Sequence, residues 1–468
     1  MRLVIVGGSD AGIAAALRAR ELEPSNEVTV VLDDEYPNFS VCGIPYYLSG
    51  EVREWSNLAH RSHRELLDQG INLRTDTHAV EINPHQHELI CQGSDRGFVH
   101  LPWDRLIIAT GARPIKPPIE GLVEALKGDR VFLVHTIADA RAIMKVLDQK
   151  RIHRALVIGA GYIGLELAEA LSARGIKVNQ YEARDHVLPT ISSDLAGQLE
   201  LVLTGHGVEL ATDTVVTAVA TDDRQVTLAT SSPSSGVTHV TGDLAIVVAG
   251  VRPSVDLALT AGVKLGYGGA VWVNRQMATG VQDIYAAGDC VITHHQLLGE
   301  SYLPLGTTAH KQGRVAGAVA IGHDKAEFQG VVGTQVVKVF DQVIARTGLT
   351  DDEATSVNFN PVSTTTRADD HKRYYPGAET LTIRLTADAS THRLLGVAML
   401  GPISSGAHKR IDTAAVALRQ GITVEGLMDL DLAYTPPLGT PWDAMQVAAS
   451  QWLFESSTER RYYEDKAL

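Results

Sequence analysis

Residues 155–164 read Ala155-Leu156-Val157-Ile158-Gly159-Ala160-Gly161-Tyr162-Ile163-Gly164, an apolar run that ends in a complete G-x-G-x-x-G motif. The run predicts a strand buried on both faces, and residues 165–174 predict the helix that follows. Glu182 stands directly after the next predicted strand, residues 177–181. A glycine turn, a helix N-terminus for a pyrophosphate and a carboxylate about 20 residues on are typical of a dinucleotide-binding unit.

A second copy of this pattern opens the chain. Residues 3–6 form an apolar strand, Gly7-Gly8-Ser9-Asp10-Ala11-Gly12 forms the turn, and residues 11–22 predict a helix. Ser9 replaces the middle glycine, so the motif is weaker, and a plain glycine turn is the alternative. Asp33 or Asp34, after the strand at residues 28–32, is predicted to bind ribose hydroxyls. The choice between the two aspartates stays open.

Two dinucleotide units about 150 residues apart form an internal repeat. We expect the first to bind FAD and the second NAD, an arrangement that moves a hydride from a nicotinamide to a flavin. Glu182 accepts hydrogen bonds from a 2′-hydroxyl and repels a 2′-phosphate, which favours NADH. Arg184, a positive charge two residues later, weakens this preference, so NADPH stays an alternative.

One cysteine follows the first unit, in Asn38-Phe39-Ser40-Val41-Cys42-Gly43-Ile44-Pro45-Tyr46-Tyr47. It falls where the flavin ring of a bound FAD would lie. Gly43 and Pro45 predict the first turn of a helix beside it. A helix N-terminus stabilises the thiolate, which is the nucleophilic and redox-active form. The alternative is a buried, inert cysteine, but the neighbouring nucleotide motifs favour the redox role.

Composition argues against several other classes of protein. The 468 residues include 41 basic and 55 acidic side chains, a net charge of −14, which argues against nucleic-acid and anionic-membrane partners. No apolar run approaches the roughly 20 residues of a membrane span. Three cysteines without a C-x-x-C pair indicate neither a disulfide scaffold nor a metal site. No signal peptide is recognised, so a cytoplasmic location is expected.

Later landmarks divide the chain. Ala109-Thr110-Gly111-Ala112-Arg113-Pro114 ends one strand, and Gly250-Val251-Arg252-Pro253 repeats its Gly-x-Arg-Pro. The chain is therefore expected to leave the first unit and return to it at these points. After residue 322 the pattern changes to an α+β domain. We predict an α/β protein with two Rossmann-like domains and a C-terminal α+β dimerisation domain. The boundaries are 1–114 with 251–322 for FAD, 115–250 for NAD(P)H and 323–468 for the interface.

The predicted cofactor-binding residues lie in the glycine turns, in the acidic positions after them and in loops that follow later strands. Gly288 and Asp289 end one such strand, and residues 306–308 begin a helix that would cap the polar edge of the flavin. The full set is Gly7, Ser9, Asp10, Ala11, Gly12, Asp33, Asp34, Ser40, Thr110, Gly111, Arg113, Gly159, Gly161, Tyr162, Ile163, Gly164, Glu182, Gly250, Gly288, Asp289, Gly306, Thr307 and Thr308.

Together these motifs resemble the pyridine nucleotide–disulfide oxidoreductases, and more narrowly their single-cysteine branch. That branch includes coenzyme A disulfide reductases, coenzyme A persulfide and polysulfide reductases, NADH oxidases and NADH peroxidases. Two C-terminal motifs add to the resemblance: Tyr374-Tyr375-Pro376-Gly377 and Ala433-Tyr434-Thr435-Pro436-Pro437. The resemblance implies an FAD-containing homodimer that oxidises NADH and reduces a disulfide or persulfide through Cys42.

By the same resemblance, Tyr434 and Tyr374 reach the redox cysteine of the other subunit, where each phenol can donate a proton to a leaving thiolate. A tyrosine buried in a dimer interface is the alternative for both. Tyr162 would gate the nicotinamide face of the flavin. Candidate contacts for substrate phosphates, each otherwise a surface charge, are Arg18, Arg20, Arg61 and Lys409.

Two further functions stay open. Oxidases and peroxidases of the branch carry a histidine in the first glycine loop, where this chain has Asp10. That departure favours sulfur reduction over an oxidase or peroxidase that cycles Cys42 through sulfenic acid. The other alternative is a non-enzymatic flavin redox sensor or partner-binding protein.

Overall fold

The structure is a computed structural model that describes residues 1–94 and 96–456. Residues 457–468, the end of the range predicted for the interface domain, lie outside the described residues, as does residue 95. No helix within the described ranges combines the length and apolarity needed to cross a membrane.

The first part of the chain forms strands of a parallel sheet, an antiparallel excursion and three helices. Its strands are β1 (Arg2–Val6), β2 (Glu27–Val31), β3 (Ile71–Arg74), β4 (His78–Asn83), β5 (Glu88–Gln92), β6 (Phe98–Pro102), β7 (Arg105–Ile108) and β8 (Ala112–Pro114). Its helices are α1 (Asp10–Leu22), α2 (Ile44–Ser49) and α3 (His63–Asp68). Four of the five β1 residues are buried, as expected of a parallel strand covered on both faces.

The second part repeats this arrangement. Its strands are β9 (Val131–Leu133), β10 (Arg154–Ile158), β11 (Lys177–Tyr181), β12 (Glu209–Ala211), β13 (Val215–Thr221), β14 (Val226–Ser232), β15 (Gly236–Gly242) and β16 (Leu244–Val247). Its helices are α4 (Leu122–Ala125), α5 (Ile137–Gln149), α6 (Tyr162–Ala173) and α7 (Ser193–Gly205).

The chain then returns to the first sheet. The elements are β17 (Val251–Pro253), β18 (Ile284–Ala286), β19 (Thr293–His295), β20 (Gly299–Ser301), α8 (Asp256–Thr260) and α9 (Gly306–Ala320). β17 pairs antiparallel with β8, so that Arg252 lies opposite Arg113. β18 pairs with β7 in the first sheet.

The last part is an antiparallel sheet with helices. Its elements are β21 (Gln335–Val339), β22 (Gln342–Gly348), β23 (Pro361–Asp369), β24 (Thr380–Asp388), β25 (Leu394–Pro402), α10 (Asp351–Ser356), α11 (Ala407–Arg419), α12 (Val424–Met428) and α13 (Ala444–Ser456). The strand order is β21-β22-β25-β24-β23. A separate core of this domain includes Trp452 and Leu381, both fully buried.

The two parallel sheets have matching topologies. The first has the order β18-β7-β1-β2-β3, and the second has the order β9-β16-β10-β11-β12. Each is interrupted by a three-stranded antiparallel sheet, β4-β5-β6 and β13-β14-β15. They differ in one outermost strand. In the first sheet this strand is β18, which follows the other four along the chain, and in the second it is β9, which precedes them. The predicted fold class is confirmed, whereas the domain boundaries stay predictions.

Helix α2 belongs to the first unit in sequence but packs into the core of the second. Ile44, Tyr47 and Leu48 are buried in the cluster that contains Leu165 and Ala168 of α6. Burial of an apolar side chain of this size contributes about 1.5–3 kcal/mol. The segment that carries Cys42 is thus fixed against the helix that follows the second glycine turn.

Candidate active site

The first glycine turn is held tightly between strand and helix. Gly7 has φ +120°, and a Cβ atom there would lie 2.0 Å from the carbonyl oxygen of Ala109. A Cβ on Gly12 would lie 1.9 Å from the oxygen of Gly7. Ser9 is the N-cap of α1 and makes no side-chain capping bond, and Ala11 is buried. The turn therefore presents backbone N–H groups at the start of a 13-residue helix, as pyrophosphate binding requires.

Two later segments of the chain converge on Asp10. Glycines permit the approach: a Cβ on Gly306 would lie 3.0 Å from Asp10 Oδ2, and one on Gly288 would lie 2.7 Å from Ala11 Cβ. Burial, followed by the charge of Asp10, raises the pKa of Asp289 to about 6. Predicted residues Gly288, Asp289 and Gly306 are thus brought beside the first turn. In the same helical turn as Gly306, Thr308 is buried and Thr307 is exposed.

Two buried polar atoms in this region have no protein partner. Asp10 Oδ1 lies 3.3 Å from His310 Nε2 without a well-directed hydrogen bond. The Nδ2 atom of Asn38, a residue with φ +61°, is likewise unsatisfied among the described residues. Buried polar groups are normally hydrogen-bonded, so a polar ligand fits here. Together with the glycine turn, these atoms suit FAD at the first unit.

Backbone hydrogen bonds identify the residue of the first unit that is equivalent to Glu182 in the second. Gly7 N–H donates to Val31 O (2.8 Å) as Gly159 N–H donates to Tyr181 O (2.8 Å). Leu32, not an aspartate, is therefore equivalent to Glu182. The position cannot be read from the sequence because β2 ends one residue earlier than the predicted strand.

Neither of the two predicted aspartates occupies that equivalent position. Asp33 is exposed, with its Oδ2 atom 2.8 Å from His78 Nδ1. Asp34 is half-buried, and its Oδ1 atom accepts a hydrogen bond from Tyr36 N–H (3.2 Å). Burial raises the pKa of Asp34. Binding of ribose by either aspartate stays a prediction that the repeat does not favour.

The second glycine turn fits a nicotinamide dinucleotide. A Cβ on Gly164 would lie 2.2 Å from the oxygen of Gly159, whereas nothing lies within 4 Å of a Cβ on Gly161. The space in front of Gly161 is therefore open to a ligand. Glu182 is buried and accepts hydrogen bonds from Ala160 N–H (2.8 Å) and Arg184 N–H (2.9 Å). Its carboxylate retains lone pairs for a ribose hydroxyl.

Tyr162 and Ile163 begin α6 and are both partly buried. The hydroxyl of Tyr162 accepts a long hydrogen bond from Thr190 Oγ1 (3.4 Å), and burial raises its pKa. A weakly held tyrosine at this end of α6 is compatible with the predicted gating role.

Other predicted residues of the flavin site are engaged by the chain itself. Thr110 Oγ1 donates to Ser254 O (2.6 Å), and Arg113 binds Ser254 Oγ (3.0 Å) and Asp256 (2.6 Å). Ser40 N–H donates to Leu58 O (2.8 Å). Gly111 and Gly250 have positive φ, and a Cβ on Gly111 would meet nothing within 4 Å. Thr110 and Arg113 therefore have identified structural roles in joining the loop at 109–114 to residues 254–256.

Cys42 lies in a 3-10 turn, residues 41–43, directly before α2. It is the exposed member of three free thiols, since Cys91 and Cys290 are buried. The Cys42 residue is exposed, but the protein around its thiol reduces solvation of the thiolate, and this raises the pKa of the thiol. The charges of Glu166, Asp10 and Asp289, in that order, raise it further. The expected stabilisation of the thiolate by the helix N-terminus is thus outweighed within this chain.

Glu166 is a residue that the sequence reasoning missed. It lies on α6, and Tyr46 of α2 donates a hydrogen bond to its Oε1 atom (3.3 Å). Burial raises the pKa of Glu166 to about 7. The sequence does contain a signal for Glu166: it is a charged residue between Leu165 and Leu167, one helical turn after Tyr162. His310, two residues after the predicted flavin-edge residues 306–308, is the other missed residue.

Tyr374 and Tyr434 lie on adjacent loops of the last domain and are 74% and 45% exposed. Lys372 N–H donates to Pro436 O (3.3 Å), which joins the two loops. Arg410 of α11 holds them further by donating to Asp370 O (2.7 Å) and Asp443 Oδ2 (2.9 Å). Neither tyrosine hydroxyl makes a hydrogen bond within residues 1–94 and 96–456, so both are available to another molecule.

A groove of about 590 Å³ runs along α1 in the first unit. Its lining includes Asn38, His60, Arg61, His310 and Arg314. Of the four cations proposed from the sequence to meet phosphates, Arg61 lines the groove. The others have protein partners: Arg18 pairs with Glu21, Arg20 binds backbone carbonyls including Asn26 O, and Lys409 pairs with Asp412.

Comparison with known proteins gives the family. The model of the pyridine nucleotide–disulphide oxidoreductase family matches residues 1–313, and the dimerisation domain of that family matches residues 334–445. An NAD(P)H coenzyme A polysulfide/persulfide reductase from Pyrococcus horikoshii is 33% identical over 450 residues, 96% of this chain and 97% of the relative.

Solved structures agree with this result. An NAD-dependent persulfide reductase from A. fulgidus has a TM-score of 0.91 and 33% identity, covering 97% of this chain and 83% of that one. A water-forming NADH oxidase from Lactobacillus brevis, bound to NADH, has a TM-score of 0.90 and 28% identity, covering 97% and 99%. The resemblance found in the motifs is confirmed, and the non-enzymatic alternative gives way to an enzyme. The chain belongs to the pyridine nucleotide–disulfide oxidoreductases and is an FAD-dependent NAD(P)H oxidoreductase.

Proposed function

We propose that this enzyme uses NADH to reduce a disulfide or persulfide through Cys42. The observation that carries the proposal is the position of Cys42, an exposed free thiol between the first glycine turn and α6. Asp10 stands where the oxidases and peroxidases of the branch have a histidine, which favours a sulfur substrate. The Pyrococcus horikoshii relative, named a polysulfide/persulfide reductase, adds support.

Several of the predicted residues would act in this reaction. Gly159, Gly161, Gly164 and Glu182 would hold NADH, and Gly7, Gly12 and Asp10 would border FAD. When bound, the flavin takes a hydride from the nicotinamide and supplies two electrons to sulfur. The Cys42 thiolate attacks one sulfur of the substrate, forming a mixed disulfide or persulfide and expelling the other sulfur as a thiolate. Two electrons and a proton then return Cys42 to a thiolate and release the second thiol or hydrosulfide.

We further propose that the substrate carries an anionic group, as a coenzyme A thiol does. The groove lined by Ile13 and Ala14 of α1 presents two arginines, Arg61 and Arg314, two histidines, His60 and His310, and one carboxylate, Glu65, which caps α3. Arg314 also lies 3.6 Å from Glu21. Arginine suits phosphate because its planar fork of donors matches phosphate oxygens. A phosphate-bearing disulfide is therefore expected to bind more tightly than a small uncharged one.

The active site is proposed to be shared within a homodimer. Tyr374, Tyr434, Leu438 and Trp442 are exposed in the isolated chain, and Tyr374 and Leu438 are 74% and 79% exposed. Such apolar exposure is typical of an interface. The dimerisation-domain match supports the same assembly. In the dimer, Tyr434 and Tyr374 would donate to the thiolate that leaves Cys42 of the other subunit. The three free thiols suit a reducing compartment, for which the cytoplasm is proposed.

The test is the variant Cys42→Ser, compared with Cys91→Ala, which removes a thiol buried in β5. Cys42→Ser should keep FAD and pass electrons from NADH to artificial acceptors, yet lose NADH-dependent release of thiol from coenzyme A disulfide. Cys91→Ala should retain both activities. Thiol release by Cys42→Ser would refute the role of Cys42. Fast turnover with oxygen or peroxide, without thiol release, would instead favour an NADH oxidase or peroxidase. This function stays the second candidate because the chain is similar to the Lactobacillus brevis enzyme.

A further inference from the structure

The segment between β11 and α7, residues 182–192, contains a strained residue beside the second glycine turn. Leu188 has φ +49°, a left-handed conformation that is uncommon for a residue with a Cβ atom. It is 1% exposed, and its N–H donates to Ala160 O (2.9 Å) within that turn. Ile191 N–H donates back to Leu188 O (3.0 Å). Such a conformation persists where its surroundings fix it, so the segment is held in one place against the nucleotide site.

Thr190, in the same segment, contacts the predicted gate tyrosine. Its Oγ1 atom donates to the hydroxyl of Tyr162 (3.4 Å), the residue that begins α6. Hydrogen bonds between two oxygens usually span about 2.5–3.0 Å, so this one is long and weak. A weak bond favours one position of a side chain and still lets the side chain leave it. Thr190 is therefore suited to hold a gate that has to move.

The main chain of Thr190 is anchored by the last domain. Arg346 of β22 donates from Nη1 to Thr190 O. From Nη2 the same guanidinium donates to Gly348 O (2.7 Å) and to Glu353 Oε2 (2.7 Å). The Arg346 side chain is 8% exposed, and its planar fork is bound at both ends. The position of Thr190 is thus fixed relative to β22.

Glu353 fixes the guanidinium in turn. Its carboxylate accepts from Thr350 N–H (2.8 Å) in the capping box of α10. Burial alone would raise the pKa of Glu353, but the charge of Arg346 and the hydrogen bonds lower it overall, so the carboxylate is ionised opposite the guanidinium. A continuous set of contacts therefore leads from α10 through Arg346 and Thr190 to the hydroxyl of Tyr162.

We propose that Thr190, anchored by Arg346, is a positioning residue that holds Tyr162 clear of the nicotinamide face of the flavin. This inference rests on the proposed NADH site and on the gating role of Tyr162. The residues that hold Thr190 belong to the nucleotide-binding part and to the last domain, so its bond draws the tyrosine toward them and away from the first unit. Without the bond, Tyr162 spends more time over the flavin. The fraction of enzyme that can accept NADH then falls, and the apparent Kd rises.

Reduction of the flavin by NADH tests this without any sulfur substrate. The FAD-loaded enzyme is mixed anaerobically with NADH in a stopped-flow instrument, and flavin absorbance is followed. The rate at increasing NADH concentrations gives the apparent Kd and the limiting rate constant. Thr190→Val removes the hydroxyl and keeps the carbonyl that Arg346 binds. It should raise the apparent Kd by roughly twofold to fivefold, as expected for one weak hydrogen bond, and leave the limiting rate constant unchanged.

Partner variants identify the bond itself. Tyr162→Phe removes the same bond and keeps the ring, so it should raise the apparent Kd by the same factor. The double variant of Thr190→Val and Tyr162→Phe should show no further rise, because both changes remove one interaction. Thr190→Ser retains a hydroxyl and should restore the wild-type Kd. The control is Thr204→Val, which removes an exposed hydroxyl of α7 that donates to Glu200 O (2.9 Å) and should not change NADH binding.

Arg346→Lys tests the anchor. Lysine keeps a cation for Glu353 but has a single nitrogen in place of the fork, so Thr190 O loses its donor. The apparent Kd should rise as in Thr190→Val. If Arg346→Lys does not fold, the Thr190 variants decide.

An unchanged or lowered Kd in Thr190→Val would overturn the inference, and so would additive effects in the double variant. Neither result would affect the proposed function, which is tested independently by loss of thiol release in Cys42→Ser. A wild-type flavin that NADH does not reduce would instead refute the proposed function, and the inference with it.

Discussion

Leu32 occupies in the first sheet the position that Glu182 occupies in the second. Leu32 N–H donates to Arg74 O (3.0 Å) and its carbonyl accepts from Thr77, as Glu182 N–H donates to Ala211 O (2.9 Å) and its carbonyl accepts from Thr214. Leu32 is 5% exposed, and a Cβ on Gly8 would lie 2.6 Å from Leu32 Cδ1. The first unit therefore has no carboxylate at its usual ribose position, although its FAD-binding fold is complete.

A carboxylate restored at this position should strengthen FAD binding. In Leu32→Glu, the new side chain can accept from a ribose hydroxyl, and a charged hydrogen bond contributes about 1.5–3 kcal/mol, roughly a tenfold or greater fall in Kd. The Kd for FAD is measured from the quenching of flavin fluorescence when apoenzyme is titrated into FAD. Leu32→Gln is the control for shape and should give a smaller gain. An unchanged or higher Kd in both variants would show that FAD adenosine lies elsewhere.

The charge of Glu182 should set the preference for NADH over NADPH. Glu182→Gln keeps one oxygen, which can accept from the N–H group of either Ala160 or Arg184, and removes the charge that repels a 2′-phosphate. We expect kcat/KM with NADPH to rise roughly tenfold or more, since like charges in contact cost several kcal/mol. Steady-state kinetics with both nucleotides provide the measurement. Asp185→Asn changes an exposed neighbouring carboxylate and is the control, which should leave the ratio of kcat/KM for NADPH and NADH unchanged. Equal effects of the two variants would contradict the role of Glu182 in nucleotide preference.

The tyrosines should act across the dimer. Tyr434→Phe is expected to lower kcat for sulfur reduction by roughly tenfold to a hundredfold, because a proton donor to the leaving thiolate is lost. Reduction of the flavin by NADH should not change. Mixed dimers of Cys42→Ser and Tyr434→Phe chains should regain one intact site, so activity above that of either parent is expected. If the mixed dimer is no more active than its parents, each site is formed within one chain.

Arg410 should be required for the tyrosine loops. Its guanidinium donates to Ser405 O (2.6 Å) as well as to Asp370 and Asp443, and the side chains of Arg410 and Asp443 are 13% and 15% exposed. Arg410→Met leaves a carboxylate without its cation, which is expected to lower the free energy of unfolding by about 3 kcal/mol. Thermal unfolding measures the change. Lys409→Met removes an exposed pair with Asp412 and should change stability by less than about 1 kcal/mol.

The strongest sequence signals concerned local geometry, and these were confirmed. The strand predicted at residues 177–181 has those bounds, whereas the helix predicted at residues 165–174 is present but spans Tyr162–Ala173, beginning three residues earlier. Glycine spacing predicts such units because Gly159 and Gly164 permit contacts that any Cβ would block. The sequence also predicted that the chain returns at Gly-x-Arg-Pro, and β8 and β17 pair at those residues.

What the sequence could not show depends on contacts between distant segments. The equivalence of Leu32 with Glu182 was not predicted, because it follows from the bond between Gly7 and Val31, which no local pattern reveals. The pair of Tyr46 and Glu166 joins residues 120 apart. The raised pKa of Cys42 likewise comes from burial of the thiol and then from carboxylates on other segments, whereas the sequence showed only the nearby helix N-terminus.

The pairing of β8 with β17 places the point where the chain enters the nicotinamide-binding part beside the point where it leaves. Arg113 and Arg252 are direct neighbours across this ribbon, although 138 residues lie between them. The part between them is thus attached to its host by two adjacent strands rather than by one tether. Because Ile44, Tyr47 and Leu48 of α2 are buried in the core of that part, any replacement for it would have to offer these three side chains an equivalent apolar surface.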